Sequence, residues 1–332
     1  MRICAECFKA EDWVEHAKAY GYAGKCDCCE KWSKYTVDLL SLRPILECIL
    51  NLFEPVKNGK KLYSLVQHDF DLAKDENVVK LMFEWFFKIR SIHVYDDGCQ
   101  YKSSVLKPID EWNELKEILK YRLRFFSGKE TERLSWKDYF EYNEEIPKGS
   151  YFYRGRLNEK ENEVYLSAAE LGMPPKGVTP NGRANPHGIP CLYLTTRPDT
   201  TMYELRSVFG DKISVAKFKT TDTLRVVDFD KKPLLFEAFE NDILDGVVRG
   251  YLLKKHIGEN LSKPLRRYDY KDLEYVPTQF VCEYIKQSGF DGILYNSAVY
   301  HESKNLVLFD DNKVEFVDAS VKIVGRTHMQ FE

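Results

Sequence analysis

Four short segments in the second half of the chain hold side chains suited to a phosphorylated glycoside. They are Phe152-Tyr153-Arg154-Gly155-Arg156, Gly182-Arg183-Ala184-Asn185-Pro186, Leu192-Tyr193 followed by Glu204, and Phe290-Asp291-Gly292-Ile293-Leu294-Tyr295-Asn296-Ser297. Arginine presents a rigid fork of donors matched to phosphate oxygens. Tyrosine offers a flat face to a heteroaromatic ring, and a carboxylate stabilises a cation developing on a sugar. Taken singly, each residue has a plainer role: Arg154 and Arg156 as surface ion-pair partners, Tyr193 as core, Glu204 as a solvated helix position, Ser297 as a turn or cap. The sequence holds no G-x-S-x-G elbow, Walker loop, G-x-G-x-x-G fingerprint or H-E-x-x-H helix.

A second cluster lies near the N-terminus, where Cys4 and Cys7 form one C-x-x-C pair and Cys26 and Cys29 another. A two-residue spacer lets both thiolates of a pair curl toward one tetrahedral cation, so the pattern reads as a four-thiolate Zn2+ site. Cys28 is an alternative ligand in the second pair and His16 a weaker one; free or buried cysteines without metal are the plainer reading. All-thiolate zinc sites are mostly structural, so this one is expected to staple a segment too small for its own core and to do no catalysis. The nine cysteines come with no apolar signal core in Met1–Lys9, which favours metal over disulfides and a place in the cytoplasm.

The elements that must position these residues follow from patterning. At 332 residues, with 44% hydrophobic and 14% aromatic residues and a formal charge of −3, the chain has the material for two cores and too little charge bias for disorder. Scattered Lys and Arg give no broad basic face, so nucleic acid is not an expected partner. No apolar run reaches the ~18 residues needed to cross a membrane. Residues 1–30 are read as a cysteine knuckle, 31–148 as a helical domain and 149–332 as the domain holding the four motifs.

In the helical part, Trp112, Leu115, Leu119, Leu123 and Phe126 recur at spacings of three and four from Asp110, with Gly128 past the end. Residues 78–89 are apolar on nearly all sides and predict a central helix. The breakers Pro147 and Gly149 put the boundary near residue 148. Beyond it, strands are predicted at 151–153, 191–194, 213–218, 224–227, 292–295, 306–309 and 314–317, with helices at 200–208 and 278–288 and a long Gly/Pro-rich loop at 172–190. The fold class is therefore α+β.

The ordered motifs resemble those of the RES domain, a family named for its Arg, Glu and Ser. Its pattern is an Arg in a first strand, a G-R-x-N-x-x-G loop, a strand ending in Tyr, a Glu one short helix later and a D-G-x-x-Y-x-S segment. The chain has Tyr153-Arg154, Gly182-Arg183-Ala184-Asn185-Pro186-His187-Gly188, Tyr193, Glu204 and Asp291-Gly292-Ile293-Leu294-Tyr295-Asn296-Ser297, in that order over residues 150–318. Ala184 departs from the aromatic residue that many members carry. The N-terminal half is similar to cysteine-containing helical regions grouped with HEPN-like modules. The HEPN nuclease pattern, an Arg four to six residues before a His, is missing at His16, His68 and His93.

The resemblance implies an ADP-ribosyltransferase-like fold and a toxin-like activity that breaks the nicotinamide–ribose bond of NAD+ by hydrolysis or phosphorolysis, in a toxin–antitoxin or phage-defence setting. It implies Glu204 beside the cation developing on the ribose, Arg183 and Arg154 on the pyrophosphate, Tyr193 against the nicotinamide, and Ser297 and Asn185 as further contacts, with Arg156 as a lesser clamp. An antitoxin or other regulatory protein is the implied partner, and oligomer formation stays open. Two alternatives stand beside this reading: transfer of ADP-ribose to a protein or nucleic acid, and a nucleotide-binding module without catalysis.

Overall fold

A computed structural model describes residues 1–91, 95, 97–125, 139–140, 144–160, 163–263, 270–300 and 303–325. The chain divides into two compact units, Met1–Asp110 with Lys232–Leu252, and Glu111–Lys231 with Leu253–Glu332. This division differs from a single boundary near residue 148. Trp112, Leu115 and Leu119 bury their stripe with Val227, Phe229 and Leu253 of the second unit, whereas Leu235, Phe236, Val248 and Tyr251 join the core of the first. Apolar periodicity marks a face for burial without naming the core that receives it.

The first unit opens with β1 (Arg2–Cys4), α1 (Glu11–Tyr20), β2 (Tyr22–Lys25) and β3 (Trp32–Asp38), whose strands form a sheet in the order β1-β3-β2. There follow α2 (Arg43–Leu50), β4 (Phe53–Lys60), α3 (Leu62–Phe70), α4 (Glu76–Arg90), β5 (Cys99–Tyr101) and α5 (Ser103–Tyr121), with β4 and β5 paired antiparallel. Helices dominate residues 43–121, but the stretch 31–148 expected to be helical also holds the strands β3, β4 and β5. In α4, Asp75 caps the start by accepting from the Asn77 amide. This helix is amphipathic where an all-round buried one was expected: Val78, Val79, Met82, Phe83 and Phe86 are buried, while Leu81 and Ile89 face solvent. The helix predicted from Asp110 begins earlier, at Ser103, and Leu123 lies exposed beyond its end. Phe126, Gly128, His93 and most of the predicted linker lie outside the described residues.

The next elements are β6 (Glu144–Ile146), β7 (Tyr151–Leu157), α6 (Ala168–Leu171), β8 (Leu192–Thr195), α7 (Thr200–Glu204), β9 (Lys212–Thr220) and β10 (Leu224–Asp228). The first unit then takes in α8 (Leu235–Glu240), and the chain continues through α9 (Leu244–Ser262), α10 (Lys271–Glu274), α11 (Val276–Gln287), β11 (Gly292–Asn296), β12 (Lys304–Leu308) and β13 (Val314–Ile323). Every strand predicted after residue 148 is present. Among the described residues they form one sheet, β13-β9-β7-β8-β12-β11-β10-β6, in which only the β10–β11 pair is parallel. The mixed sheet bears out the α+β expectation.

Alternation along the central strands sends side chains to opposite faces. Ile293, Tyr295 and Val307 pack with Leu253, Ile257, Val281 and Ile285 of α9 and α11. Leu192, Leu194, Leu294, Leu306 and Leu308 pack on the other side with Leu171 of α6. β7 pairs with β9 along its whole length, but with β8 at one position only, Tyr153 opposite Thr195. From Arg154 onward β7 and β8 share no ladder pair, so the sheet is split between the two strands that carry Arg154 and Tyr193.

Candidate functional site

Glu204 ends α7, and two features of the sequence set that helix where it is. The Thr200 hydroxyl donates to Ser303 Oγ at 2.7 Å, tying the helix start to the residue before β12. At its flank α7 lies directly on Gly155, where a Cβ would come within 2.7 Å of the Thr201 Cβ. The glycine of the Arg154-Gly155-Arg156 segment therefore gives α7 room beside Arg154. The helix is shorter than the predicted 200–208, and Arg206 takes a left-handed φ of 51° just beyond it.

Ser297 follows β11 and its hydroxyl donates to Glu204 Oε1 at 2.8 Å. The same oxygen accepts from Asn305 Nδ2 at 2.7 Å. Asn305 stands in β12 opposite Thr195 of β8 and Tyr295 of β11, so three strands in register build the floor under the carboxylate. Among the described residues no hydrogen bond or ion pair is made to Glu204 Oε2. Tyr295 is buried, which pushes its phenol pKa up; Glu204 adds to that shift and Arg183 opposes it, so both lie within electrostatic reach of its hydroxyl.

The loop at 172–190 contains no strand and is held by side chains. Asn185 is fully buried, and its Nδ2 reaches the carbonyls of Pro180 and Pro186, both at 3.1 Å, and of Ile189 at 2.9 Å. Tyr193 donates its hydroxyl to Asn185 Oδ1 at 2.7 Å and accepts from the Ala184 amide at 3.1 Å. A Cβ on Gly182 would overlap both Asn185 Oδ1 and the Tyr193 hydroxyl, so this glycine is required for the pair to form. From α11, Thr278 donates to the Arg183 carbonyl at 2.7 Å and Gln279 donates to the carbonyls of Gly182 and Asn185. Arg183 itself lies over the ring of Tyr275, 5.6 Å from its centroid.

Arg154 has a buried Nη1 with no hydrogen-bond partner. Burial pushes its guanidinium pKa down, and the neighbouring Arg156 charge pushes it further the same way. Tyr193 lies within electrostatic reach of it. A buried guanidinium nitrogen with no partner is costly unless an anion meets it. Arg156 is spent elsewhere: it stacks 3.7 Å over Tyr165 and donates to the Glu170 carbonyl at 3.1 Å.

The structure thus joins Glu204 and Ser297 directly, brings Glu204 and Arg183 within electrostatic reach of Tyr295, and brings Arg154 within electrostatic reach of Tyr193. It commits the Asn185 carboxamide to its own loop. Asn305, Thr278 and Gln279 lie outside the four sequence motifs. A signal for the first was available, because Lys304-Asn305-Leu306-Val307-Leu308 sets an amide inside an apolar strand.

The N-terminal cysteines form a separate cluster. The sulfurs of Cys4, Cys7, Cys26 and Cys29 lie within 4.8 Å of one another, with Cys4–Cys7 at 3.5 Å, Cys4–Cys29 at 3.7 Å and Cys7–Cys26 at 3.8 Å. A tetrahedron with metal–sulfur bonds of about 2.3 Å has edges of about 3.8 Å, so the four thiols fit a zinc ion. Burial works to raise the Cys26 thiol, yet backbone amides of Cys29, Cys4 and Cys28 outweigh it and bring it down to about 7. Cys28 stands outside the quartet, and His16 stacks on Phe236 at 4.1 Å.

Among the described residues no helix is long and apolar enough to cross a membrane. No curated protein matches the chain. Among solved structures, a chain of the M. tuberculosis MbcT-MbcA toxin-antitoxin complex is similar at 16% identity over 57% of this chain and 91% of that one, with a TM-score of 0.30. A likeness of that extent supports no functional argument. The family model of the RES domain matches residues 156–331, more than half of the sequence and the stretch that holds Arg183, Tyr193, Glu204 and Ser297. The chain belongs to the RES domain family.

Proposed function

We propose that the RES domain binds NAD+ and breaks its nicotinamide–ribose bond, releasing nicotinamide. The observation that carries this reading is the contact of Glu204 with Ser297, which brings together two motif residues from distant segments with one carboxylate oxygen open. In this reaction the pyridinium leaves as a neutral ring and positive charge develops on the ribose. Glu204 would stabilise that charge, with Oε1 held by Ser297 and Asn305 and Oε2 facing the ribose. Arg154 Nη1, buried without a partner, would meet the pyrophosphate together with Arg183. Tyr193 would offer its ring to nicotinamide while its hydroxyl braces the loop that carries Arg183. Asn185, expected from the motif as a ligand contact, would in this reading shape the loop.

The four-cysteine cluster would hold structural Zn2+. Metal there would supply folding energy to a small sheet and take no part in the reaction. Draining NAD+ harms a cell, so a regulatory or antitoxin protein is the partner that fits this activity, in the cytoplasm where NAD+ is held. Incubation of purified protein with NAD+ and chromatography of the products tests the reading: nicotinamide with ADP-ribose marks hydrolysis, nicotinamide with a phosphorylated ADP-ribose marks phosphorolysis, and label carried onto a macromolecule marks transfer. Intact NAD+ after prolonged incubation would refute it.

A further inference from the structure

Asn305 lies in the middle of the sheet with 8% of its surface exposed. A buried amide costs stability unless both ends are paired. Here one end is paired and the other is not: Nδ2 donates to Glu204 Oε1 at 2.7 Å, whereas Oδ1 is buried with no partner. The Glu204 carboxylate fixes the orientation, because turning the amide over would set Oδ1 against Glu204 Oε1, two acceptors facing each other.

An apolar side chain of similar size would satisfy this position as well as its neighbours Leu306 and Val307 do, without burying an unpaired oxygen. What it would not supply is the hydrogen bond that fixes one oxygen of Glu204. Glu204 ends a five-residue helix and is itself exposed, so without bonds from Ser297 and Asn305 its carboxylate is free to change rotamer. We infer that Asn305 is a positioning residue for Glu204, a role carried at the expense of fold stability. The inference rests on the proposed NAD+ reading for its kinetic consequence and on geometry alone for the placement of Glu204.

The test compares wild type, Asn305→Leu, Glu204→Gln and the double variant for nicotinamide release from NAD+, with thermal midpoints measured in parallel. Asn305→Leu should lower kcat roughly tenfold, the equivalent of about 1.4 kcal/mol, with KM nearly unchanged and the midpoint unchanged or raised. In the Glu204→Gln background it should lower kcat little further, since it acts through the carboxylate. Wild-type kcat in Asn305→Leu, or losses that multiply in the double variant, would overturn the inference. If the leucine variant fails to fold, Asn305→Val, which suits a strand, takes its place. A crystal structure of the variant needs no turnover: Glu204 should have left Ser297, and a carboxylate still in place would sink the positioning role alone. A wild type that releases no nicotinamide would instead sink the NAD+ reading and leave the crystallographic result to decide this one.

Discussion

Replacing Glu204 with glutamine removes the carboxylate charge of the candidate site and little else. The carbonyl oxygen of glutamine can accept from Ser297 Oγ and Asn305 Nδ2 as Oε1 does now, at 2.8 and 2.7 Å. Alanine would be a poorer probe, because Ser297 and Asn305 are each only 8% exposed and both donors would lose their acceptor. A unit charge about 4 Å from a developing cation is worth about 4 kcal/mol at an effective dielectric of ~20. Only part of a full charge develops on the ribose and Glu204 is open to water, so about 3 kcal/mol is the reasonable share, or about a hundredfold in kcat. The assay is initial-rate nicotinamide release at saturating NAD+, with ADP-ribose binding as control. Glu204→Gln should bind ADP-ribose as wild type does and turn over about a hundred times more slowly. A loss of less than about threefold in kcat, with binding intact, would refute electrostatic stabilisation by this carboxylate.

The other predictions concern binding, metal and pH. Arg183→Ala and Arg154→Ala should each raise KM for NAD+ by roughly tenfold or more, as expected for a lost charged hydrogen bond to phosphate; an unchanged KM in steady-state kinetics would remove that arginine from the clamp. Elemental analysis should find one zinc per chain, lost in Cys7→Ser and retained in Cys28→Ser, because Cys28 lies outside the sulfur quartet; equal zinc content in both variants would contradict the assignment. Lys254 is buried near Asp228, Lys231 and the Asp228–Lys304 ion pair, and desolvation first of all lowers its pKa from 10.5 to about 8. Its folded pKa lies below its unfolded one, so the cost is fully present below pH 8 and fades as pH rises toward 10.5, where the unfolded chain holds more protons. Stability should therefore gain up to about 3 kcal/mol from this group across that window. Lys254→Met should flatten the gain in chemical denaturation curves, and an identical slope in the variant would exclude Lys254 as its source.

Much of this protein is legible from local chemistry. Short apolar runs rich in β-branched and aromatic residues marked the strands Leu192–Thr195, Leu224–Asp228 and Gly292–Asn296, because a strand buried on both faces is written as a nearly continuous apolar run. The C-x-x-C pairs marked the thiol quartet for a similar reason: a two-residue spacer constrains where sulfurs can point. Spacing alone left Cys28 as a rival to Cys29, and the positions of the folded sulfurs separate them. The breadth of burial around α4 was also beyond local reading, since Leu81 and Ile89 are as apolar as the residues that are buried.

What the sequence by itself determined is the inventory: an α+β chain with four thiols, two candidate arginine clamps, and the Glu204 and Ser297 of a recognisable family pattern. What tertiary structure decided is who touches whom. Ser297 and Asn305 reach Glu204 from 93 and 101 positions away along the chain, and no local periodicity encodes a hydrogen bond across that separation. Arg154 and Asn185 look alike as motif polar residues, yet one keeps a buried unpaired nitrogen and the other spends its amide on its own loop. The physical reason is that a polar side chain's role depends on whether its partners are met after packing, and packing is a property of the whole fold.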